Sequence, residues 1–127
     1  MRGRTQRGAA VVDFVLVMTL LVPLVLGILQ VGLVLHVRNT LTAAASEGAR
    51  LAGTHDREPA DGAARTRGLI TGSLSGRYAS DVIATRTDVG GYPGVEVVVR
   101  ASVPALGLLG PSVELTVSGH AVEEALP

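Results

Sequence analysis

The amino-acid sequence predicts an α+β protein: a long N-terminal transmembrane helix that extends into a small extracytoplasmic domain. In that domain a short helix is expected to pack on a roughly three-stranded antiparallel sheet. Three observations lead to this prediction. An apolar run without any charge extends from Phe14 to Leu29, and small residues at helical spacing follow it. The last third of the chain alternates apolar and polar residues, as half-buried strands do.

The composition limits both the size and the chemistry of the protein. Its 127 residues suffice for one small domain plus a membrane segment. Only 2% of the residues are aromatic and the formal net charge is zero, so a base-stacking nucleic-acid surface is not expected. Cysteine is absent, which excludes disulfides, thiol nucleophiles and zinc–thiolate sites. We therefore predict no nucleic-acid partner and no cofactor.

The N-terminal apolar run is long enough to cross a bilayer. Between Arg7 and Arg38 the only charged side chain is Asp13. About 20 apolar residues are needed to span the hydrocarbon core. A domain this small cannot cover a helix that is apolar on all sides, which disfavours a buried core helix. We assign residues 9–37 to the transmembrane helix.

The charged residues before the apolar run predict its orientation. Arg2, Arg4 and Arg7 precede it, and the N-terminal amine adds a further positive charge. The positive-inside rule keeps such an end in the cytoplasm. The remainder of the chain, from Arg38 onward, is expected to lie outside the cytoplasm. The predicted location is therefore the cell membrane, with a single span.

A stripe of small residues follows the span. Its members share helical spacing and leave room for a close neighbour: Leu41, Ala44, Ala45, Gly48 and Ala52. Such a stripe suits packing against another helix or docking of the globular part. An ordinary alanine-rich helix is the alternative. We assign residues 38–53 to a helix extension and residues 54–127 to the extracytoplasmic domain.

The C-terminal domain is predicted to contain one helix and three strands. The helix is expected to open at Pro59 and to run from Ala60 to about Tyr78. Its predicted apolar contacts are Ala64, Leu69 or Ile70, and Leu74. The strands are predicted at Ser80–Thr87, Val95–Val103 and Ser112–Val122, with a turn over Gly90–Gly94.

An apolar loop separates the last two predicted strands. It runs from Pro104 to Pro111 and contains Leu106, Leu108 and Leu109. These leucines are expected to cap the core of the sheet. Contact with lipid or with a partner is the alternative.

No catalytic or metal-binding motif is complete in this sequence. His120 and Glu123 form an H-x-x-E fragment that lacks the second histidine of a zinc site, and His36 and His55 stand alone. The segment Gly72–Gly76 has Leu74 at its centre, where a nucleophile elbow needs serine. We predict that the protein is not an enzyme and has no small-molecule substrate.

Asp13 is the residue that an apolar helix does not explain. A carboxylate inside a bilayer costs a few kcal/mol at full depth and less near the interface. Asp13 is the fifth residue after Gly8, and basic residues precede Gly8. This N-terminus resembles the class III leader of type IV pilins and pseudopilins. The resemblance implies a leader over residues 1–8, cleavage between Gly8 and Ala9, and an acid at the fifth position, where the family usually has Glu.

Two blocks of sequence carry a narrower resemblance. The run Arg7–Val17 is similar to the opening block of TadE-like pilus assembly proteins, and the run Arg38–Ala52 contains A-A-S-E-G-A-R, similar to their second block. This resemblance implies a pilin-like fold and a structural minor pilin or pseudopilin of a Tad (Flp-type) pilus or secretion system, with a role in adhesion or secretion. Asp13, Phe14 and Gly48 are assigned to helix packing and assembly. The implied partners are a prepilin peptidase, other pilin or Tad pilus-assembly subunits, and membrane lipid.

Two other interpretations of the N-terminus remain open. Ala43-Ala44-Ala45 offers ordinary signal peptidase a site before Ser46, which would release a secreted binding module. The apolar run is longer than the 7–15 residues usual for a signal peptide core, which disfavours this. An uncleaved anchor carrying a ligand-binding domain is the third interpretation, and it predicts little effect of Asp13→Ala.

Overall fold

The computed structural model describes residues 2–54, 56–105 and 112–124. Helix α1 spans Arg2–Ala52 and helix α2 spans Pro59–Ser73, followed by a 3₁₀ turn at Gly76–Ala79. Strands β1 (Asp81–Val89), β2 (Tyr92–Val103) and β3 (Val113–Val122) complete the fold. The predicted α+β class is confirmed. The leucines of the predicted apolar loop (Leu106, Leu108, Leu109) and His55 lie outside the described residues.

Helix α1 is the dominant element of the structure. It contains 51 residues, which corresponds to a length of about 77 Å. Pro23 lies inside it, and the helix continues on both sides. In the part of the chain that is described, it is also the one helix long and apolar enough to cross a membrane. The apolar run and the small-residue stripe therefore belong to a single helix.

Helix α2 is shorter than the sequence predicts. Pro59 occupies its first turn, and the Asp61 carboxylate accepts a hydrogen bond of 2.8 Å from the Glu58 backbone N–H. The helix ends at Ser73 because Leu74 leaves the helical backbone conformation, and Ser75 then caps the separate 3₁₀ turn. The predicted continuation to Tyr78 was wrong. The predicted contact at Ala64 was wrong as well: Ala64 is exposed, and the buried residues are Gly62, Ala63, Thr66 and Ile70.

The three strands form one antiparallel sheet in the order β1-β2-β3. Val99 of β2 lies between Val82 of β1 and Val117 of β3. Gly90 and Gly91 have positive φ angles of 59° and 88°, as the two central residues of a type I′ hairpin turn require. The predicted turn was too long, because Tyr92 and the residues after it already pair with β1.

The core lies between the two helices and one face of the sheet. β2 contributes its alternate residues to this inner face, where Val95, Val97, Val99 and Val103 have no exposed surface. Helix α1 contacts both β2 and β3, and α2 contacts β1. Leu41 of α1 is among the largest side chains in this core that have no exposed surface. The C-terminal half of α1 is therefore a structural part of the domain.

Candidate membrane and assembly site

Residues 5–29 of α1, which we call the free segment, contribute no side chain to the hydrophobic core formed by the described residues. Every residue of it except Met18 is exposed. Its large apolar side chains include Phe14, Leu20 and Ile28, which are 65%, 77% and 64% exposed. The stretch from residue 9 to residue 29 is about 32 Å long, close to the roughly 30 Å hydrocarbon core of a bilayer. An apolar surface this large needs lipid or another protein to cover it.

The residues predicted for processing, and two of the three predicted for assembly, lie at the start of the free segment. Gly8, Ala9, Asp13 and Phe14 are all exposed on α1. Residues four positions apart lie on the same side of a helix, one turn apart, so Asp13 lies one turn after Ala9. The carboxylate is thus located where it can approach an amine at residue 9. Cleavage after Gly8 stays a prediction.

The orientation residues occupy the first turns of the same helix. Arg7 is exposed, and the side chains of Arg2 and Arg4 lie outside the described part of the structure. The helix is compatible with a single-pass membrane anchor. Its orientation across the membrane stays a prediction.

Residues 30–52 of α1, which we call the docked segment, lie against the C-terminal domain. The Gln30 side-chain amide donates a hydrogen bond of 3.3 Å to the Pro104 carbonyl. Leu33 and Val34 pack against the core, and Val37 is 1% exposed. The predicted end of the transmembrane helix at residue 37 therefore falls inside the docked segment. The domain meets α1 directly after the free segment, without an intervening linker.

The small-residue stripe docks the domain onto its own helix. Leu41, Ala44, Ala45, Gly48 and Ala52 are all buried. A Cβ atom at Gly48 would overlap the Thr66 hydroxyl and lie 2.6 Å from the Gly62 carbonyl oxygen. The Thr66 hydroxyl oxygen lies 2.8 Å from the Gly62 carbonyl and 3.3 Å from the Ala44 carbonyl. This buried hydroxyl thereby links α1 and α2 where their backbones are closest.

The sheet approaches the opposite flank of the docked segment just as closely. A Cβ atom at Gly119 of β3 would overlap the backbone of Ala45 and Ser46. Gly119 and Thr66 were not identified from the sequence, although the small residues Gly62 and Thr66 at i and i+4 were a signal for a helix contact. Glycine and alanine on all three elements allow α1 to lie between α2 and β3.

A group of charged residues joins the ends of three elements. Arg86 of β1 forms ion pairs with Glu123, which follows β3, and with Glu58 before α2, the latter at 3.1 Å. The hydrogen bond to Glu58 and the charge of Glu123 raise the pKa of the Arg86 guanidinium above its ordinary value. No local sequence pattern indicates this group, because its members are 28 and 37 residues apart.

His120 has a different acidic neighbour from the one that the sequence indicated. His120 lies across the sheet from Glu96, with its Nε2 2.6 Å from a carboxylate oxygen, rather than against Glu123. His36 is exposed on α1. Within residues 2–54, 56–105 and 112–124, no group of three His, Asp or Glu side chains is arranged to hold a metal ion.

The fold and the free segment define a class of protein: an α+β domain docked on a helix that is long and apolar enough to anchor it in a membrane. Residues 8–50 match the sequence model of the family described as TadE-like protein. The predicted resemblance to TadE-like proteins is confirmed over this segment, which is about a third of the chain. Comparisons with curated proteins and with solved structures gave no match.

The match covers both halves of the helix. It includes the free segment with Gly8 and Asp13, and it includes most of the docked segment with Gly48. A TadE-like segment indicates involvement in Tad pilus assembly. The match ends at residue 50, so the C-terminal domain is described by its structure alone.

Proposed function

We propose that this protein is a structural, non-catalytic subunit of a Tad (Flp-type) pilus or secretion system, a minor pilin or pseudopilin. The observation that carries the proposal is Asp13, one turn after Ala9, on an exposed apolar helix that belongs to a TadE-like segment. An acid on such a surface is costly unless a positive charge meets it. Pairing the acid with a positive charge lowers this cost in the membrane and again when the subunit joins an assembly.

Processing supplies the positive charge in this proposal. A prepilin peptidase cuts between Gly8 and Ala9 on the cytoplasmic side and removes the arginines of the leader. The new amine at Ala9 is then neutralised by Asp13 of the same chain or of a neighbouring one. Pairing between neighbouring chains offsets their helices by about one turn along the axis, because Asp13 lies one turn after Ala9.

Packing of the free segment supplies the assembly contacts. Lipid covers the apolar side chains before assembly, and the helices of other pilin or pilus-assembly subunits replace part of that lipid afterwards. The close backbone contacts at Gly48 and Gly119 support this role, because they fix the domain rigidly on α1. The position of the helix then determines the position of the domain.

The contacts of the docked segment argue against release by ordinary signal peptidase. A cut before Ser46 would remove Val37, Leu41 and Ala45 from the core, where each is at most 1% exposed. The remaining domain would expose the inner face of its sheet. The proposal therefore retains the whole of α1 after residue 8 in the mature subunit.

The N-terminus of the mature protein tests the processing step. Intact mass and N-terminal peptide mapping of the protein from its native membrane or surface fraction should give a start at Ala9. A start at Ser46 would replace the pilin proposal with a secreted module. An uncut leader would leave an anchored domain without prepilin processing.

A second experiment tests the role of Asp13 in assembly. Asp13→Ala should lower the recovery of the protein in sheared surface filaments by roughly tenfold or more, since an unpaired amine remains in an apolar layer. Asp13→Glu should restore recovery, and Asp88→Asn, which removes an exposed carboxylate outside the free segment, should leave it unchanged. Equal recovery of all three variants would contradict the proposed pairing.

A further inference from the structure

One end of the C-terminal domain lies beside the free segment, and we call it the proximal end. Pro104 follows β2 there and accepts the hydrogen bond from Gln30. Val103 of β2 pairs with Val113, the first residue of β3. Because the free segment ends at residue 29, a bilayer that contains it has its surface at this end of the domain.

An open groove of about 480 Å³ lies on the sheet near the proximal end. We call it the proximal groove. It is lined by the side of the sheet that faces away from α1 and by the 3₁₀ turn. Its polar lining residues are Arg77, Ser80, Asp81, Arg100, Ser102 and Glu114. The groove thus combines two guanidinium groups and two carboxylates.

The charges in the proximal groove do not neutralise one another by contact. Among the described side chains, Arg77, Asp81, Arg100 and Glu114 form no ion pair, and Arg77 instead lies over the Tyr78 ring, 5.6 Å from its centroid. Arg77, Arg100 and Glu114 are exposed. These groups are therefore available for a ligand that carries both charges.

The end of the groove nearest the free segment lies at the height of the headgroup layer. Ser102 lies two residues before Pro104, which is about 7 Å along an extended strand. The polar layer of a bilayer is roughly 5–8 Å thick on each side of the hydrocarbon core. Ser102 and its cross-strand partner Glu114 lie at that height. Arg100 and its cross-strand partner Asp81 lie four residues before the level of Pro104, about 13 Å along the strand, and an arginine side chain is long enough to span most of the remaining distance to the layer.

We propose that the proximal groove binds the headgroup of a zwitterionic phospholipid with a primary ammonium, such as phosphatidylethanolamine. Arg77 and Arg100 donate hydrogen bonds to the phosphate, and guanidinium groups match phosphate oxygens well. Asp81 and Glu114 accept hydrogen bonds from the ammonium. The inference rests on the anchoring of α1 in a membrane, one part of the proposed function, and is independent of cleavage at Gly8 and of filament formation.

The first experiment measures the height of the proximal end above the bilayer. Because the chain has no cysteine, single labels are introduced in the full-length protein at Ser112→Cys, Thr87→Cys and Leu20→Cys. The protein is placed in phosphatidylcholine–phosphatidylethanolamine nanodiscs with a nitroxide quencher on the lipid headgroup. The label at Ser112, outside the groove, should be quenched, and the label at Thr87 near the far end of β1 should not.

The label at Leu20 distinguishes a failure of the membrane anchor from a failure of the groove proposal. A quencher on the acyl chains should reach the label at Leu20 whenever α1 is inserted. Equal headgroup quenching at Ser112 and Thr87, with Leu20 still reached, would overturn the groove proposal and leave the anchor intact. A label at Leu20 that is not reached would overturn both the anchor and the groove proposal.

The second experiment measures which headgroup is bound. Native mass spectrometry of the full chain in detergent, titrated with single lipids, should give about tenfold tighter binding of phosphatidylethanolamine than of phosphatidylcholine. The reason is that a trimethylated ammonium has no N–H to donate to the carboxylates. The double variant Asp81→Asn, Glu114→Gln should lose this preference, and Arg77→Gln with Arg100→Gln should weaken the binding of both lipids.

A matched variant outside the groove completes the test. Glu96→Gln removes a carboxylate from the same side of the sheet and should leave the lipid preference unchanged. Equal binding of both lipids by the unmodified protein, or a preference that persists in the Asp81→Asn, Glu114→Gln variant, would overturn the assignment. An uncut leader found in the native membrane would overturn the processing step alone.

Discussion

The free and docked segments are two halves of one helix with opposite surfaces. The free segment presents large apolar side chains all round, such as Phe14 and Leu20, and buries none of them against the protein. The docked segment presents small residues along one stripe, and Ala45 in that stripe and Ala49 beside it have no exposed surface. The helix continues through both halves, although Pro23 has no N–H to donate to the Thr19 carbonyl.

Side-chain size, more than hydrophobicity, therefore indicates what covers each half of α1. Lipid tails adapt to large protruding side chains, so the free segment needs only apolar character and length. A folded domain has a fixed shape, and its backbone approaches α1 closely only where Cβ atoms are small or absent. The glycines of the free segment have open space around them, whereas Gly48 does not.

The largest effect is expected when the helix is cut within the docked segment. A chain that starts at Ser46 should fail to fold, because Val37, Leu41, Ala44 and Ala45 no longer cover the sheet. A chain that starts at Gln30 keeps these contacts and should fold in mild detergent. Circular dichroism and thermal unfolding distinguish the two, and a cooperative transition in the Ser46 chain would contradict the prediction.

Replacing a glycine by a bulky residue should affect stability differently in the two segments, because the glycines have different neighbours. Gly48→Leu should destabilise the domain by about 3–4 kcal/mol, because the new side chain overlaps Thr66 and the Gly62 carbonyl. Gly27→Leu adds the same atoms where nothing lies within 4 Å and should leave the stability unchanged. Chemical unfolding of both variants in detergent gives the comparison, and similar midpoints would mean that α2 does not pack on Gly48.

Removing a large apolar side chain should have a smaller effect of the same kind. Leu41→Ala should lower the free energy of unfolding of the domain by about 2–3 kcal/mol, since Leu41 has no exposed surface. Leu20→Ala, at a residue that is 77% exposed, should not change it. The measurement is the unfolding midpoint of each variant in the same detergent. A loss with Leu20→Ala as large as that with Leu41→Ala would contradict the division of α1.

Much of the fold was accessible from the sequence because its signals are local. The apolar run, the alternation of β2 and the spacing of Leu41, Ala44, Ala45 and Gly48 all repeat with the period of one element. The first and last residues of the helices and strands could be predicted less well. The end of α2 at Ser73 depends on the backbone conformation of Leu74, and the short hairpin turn depends on the pairing of Tyr92 with Val89.

Only the N-terminal part of the candidate site could be predicted from the sequence. Gly8, Ala9 and Asp13 are neighbours in the sequence, so their spacing on a helix is known without a structure. Arg86, Glu58 and Glu123 come from three elements, and no local pattern connects them. The proximal groove likewise combines the 3₁₀ turn with all three strands.

Periodicity and length are properties of consecutive residues, so the sequence is enough to predict a long apolar helix before a small α+β domain. The residue at which that helix stops being free depends on the folded domain. The domain reaches back along α1 as far as Gln30, and it does so because Gly48, Gly62 and Gly119 let three backbones approach closely. Such contacts join residues far apart in the chain, and their existence depends on the shape of the whole domain.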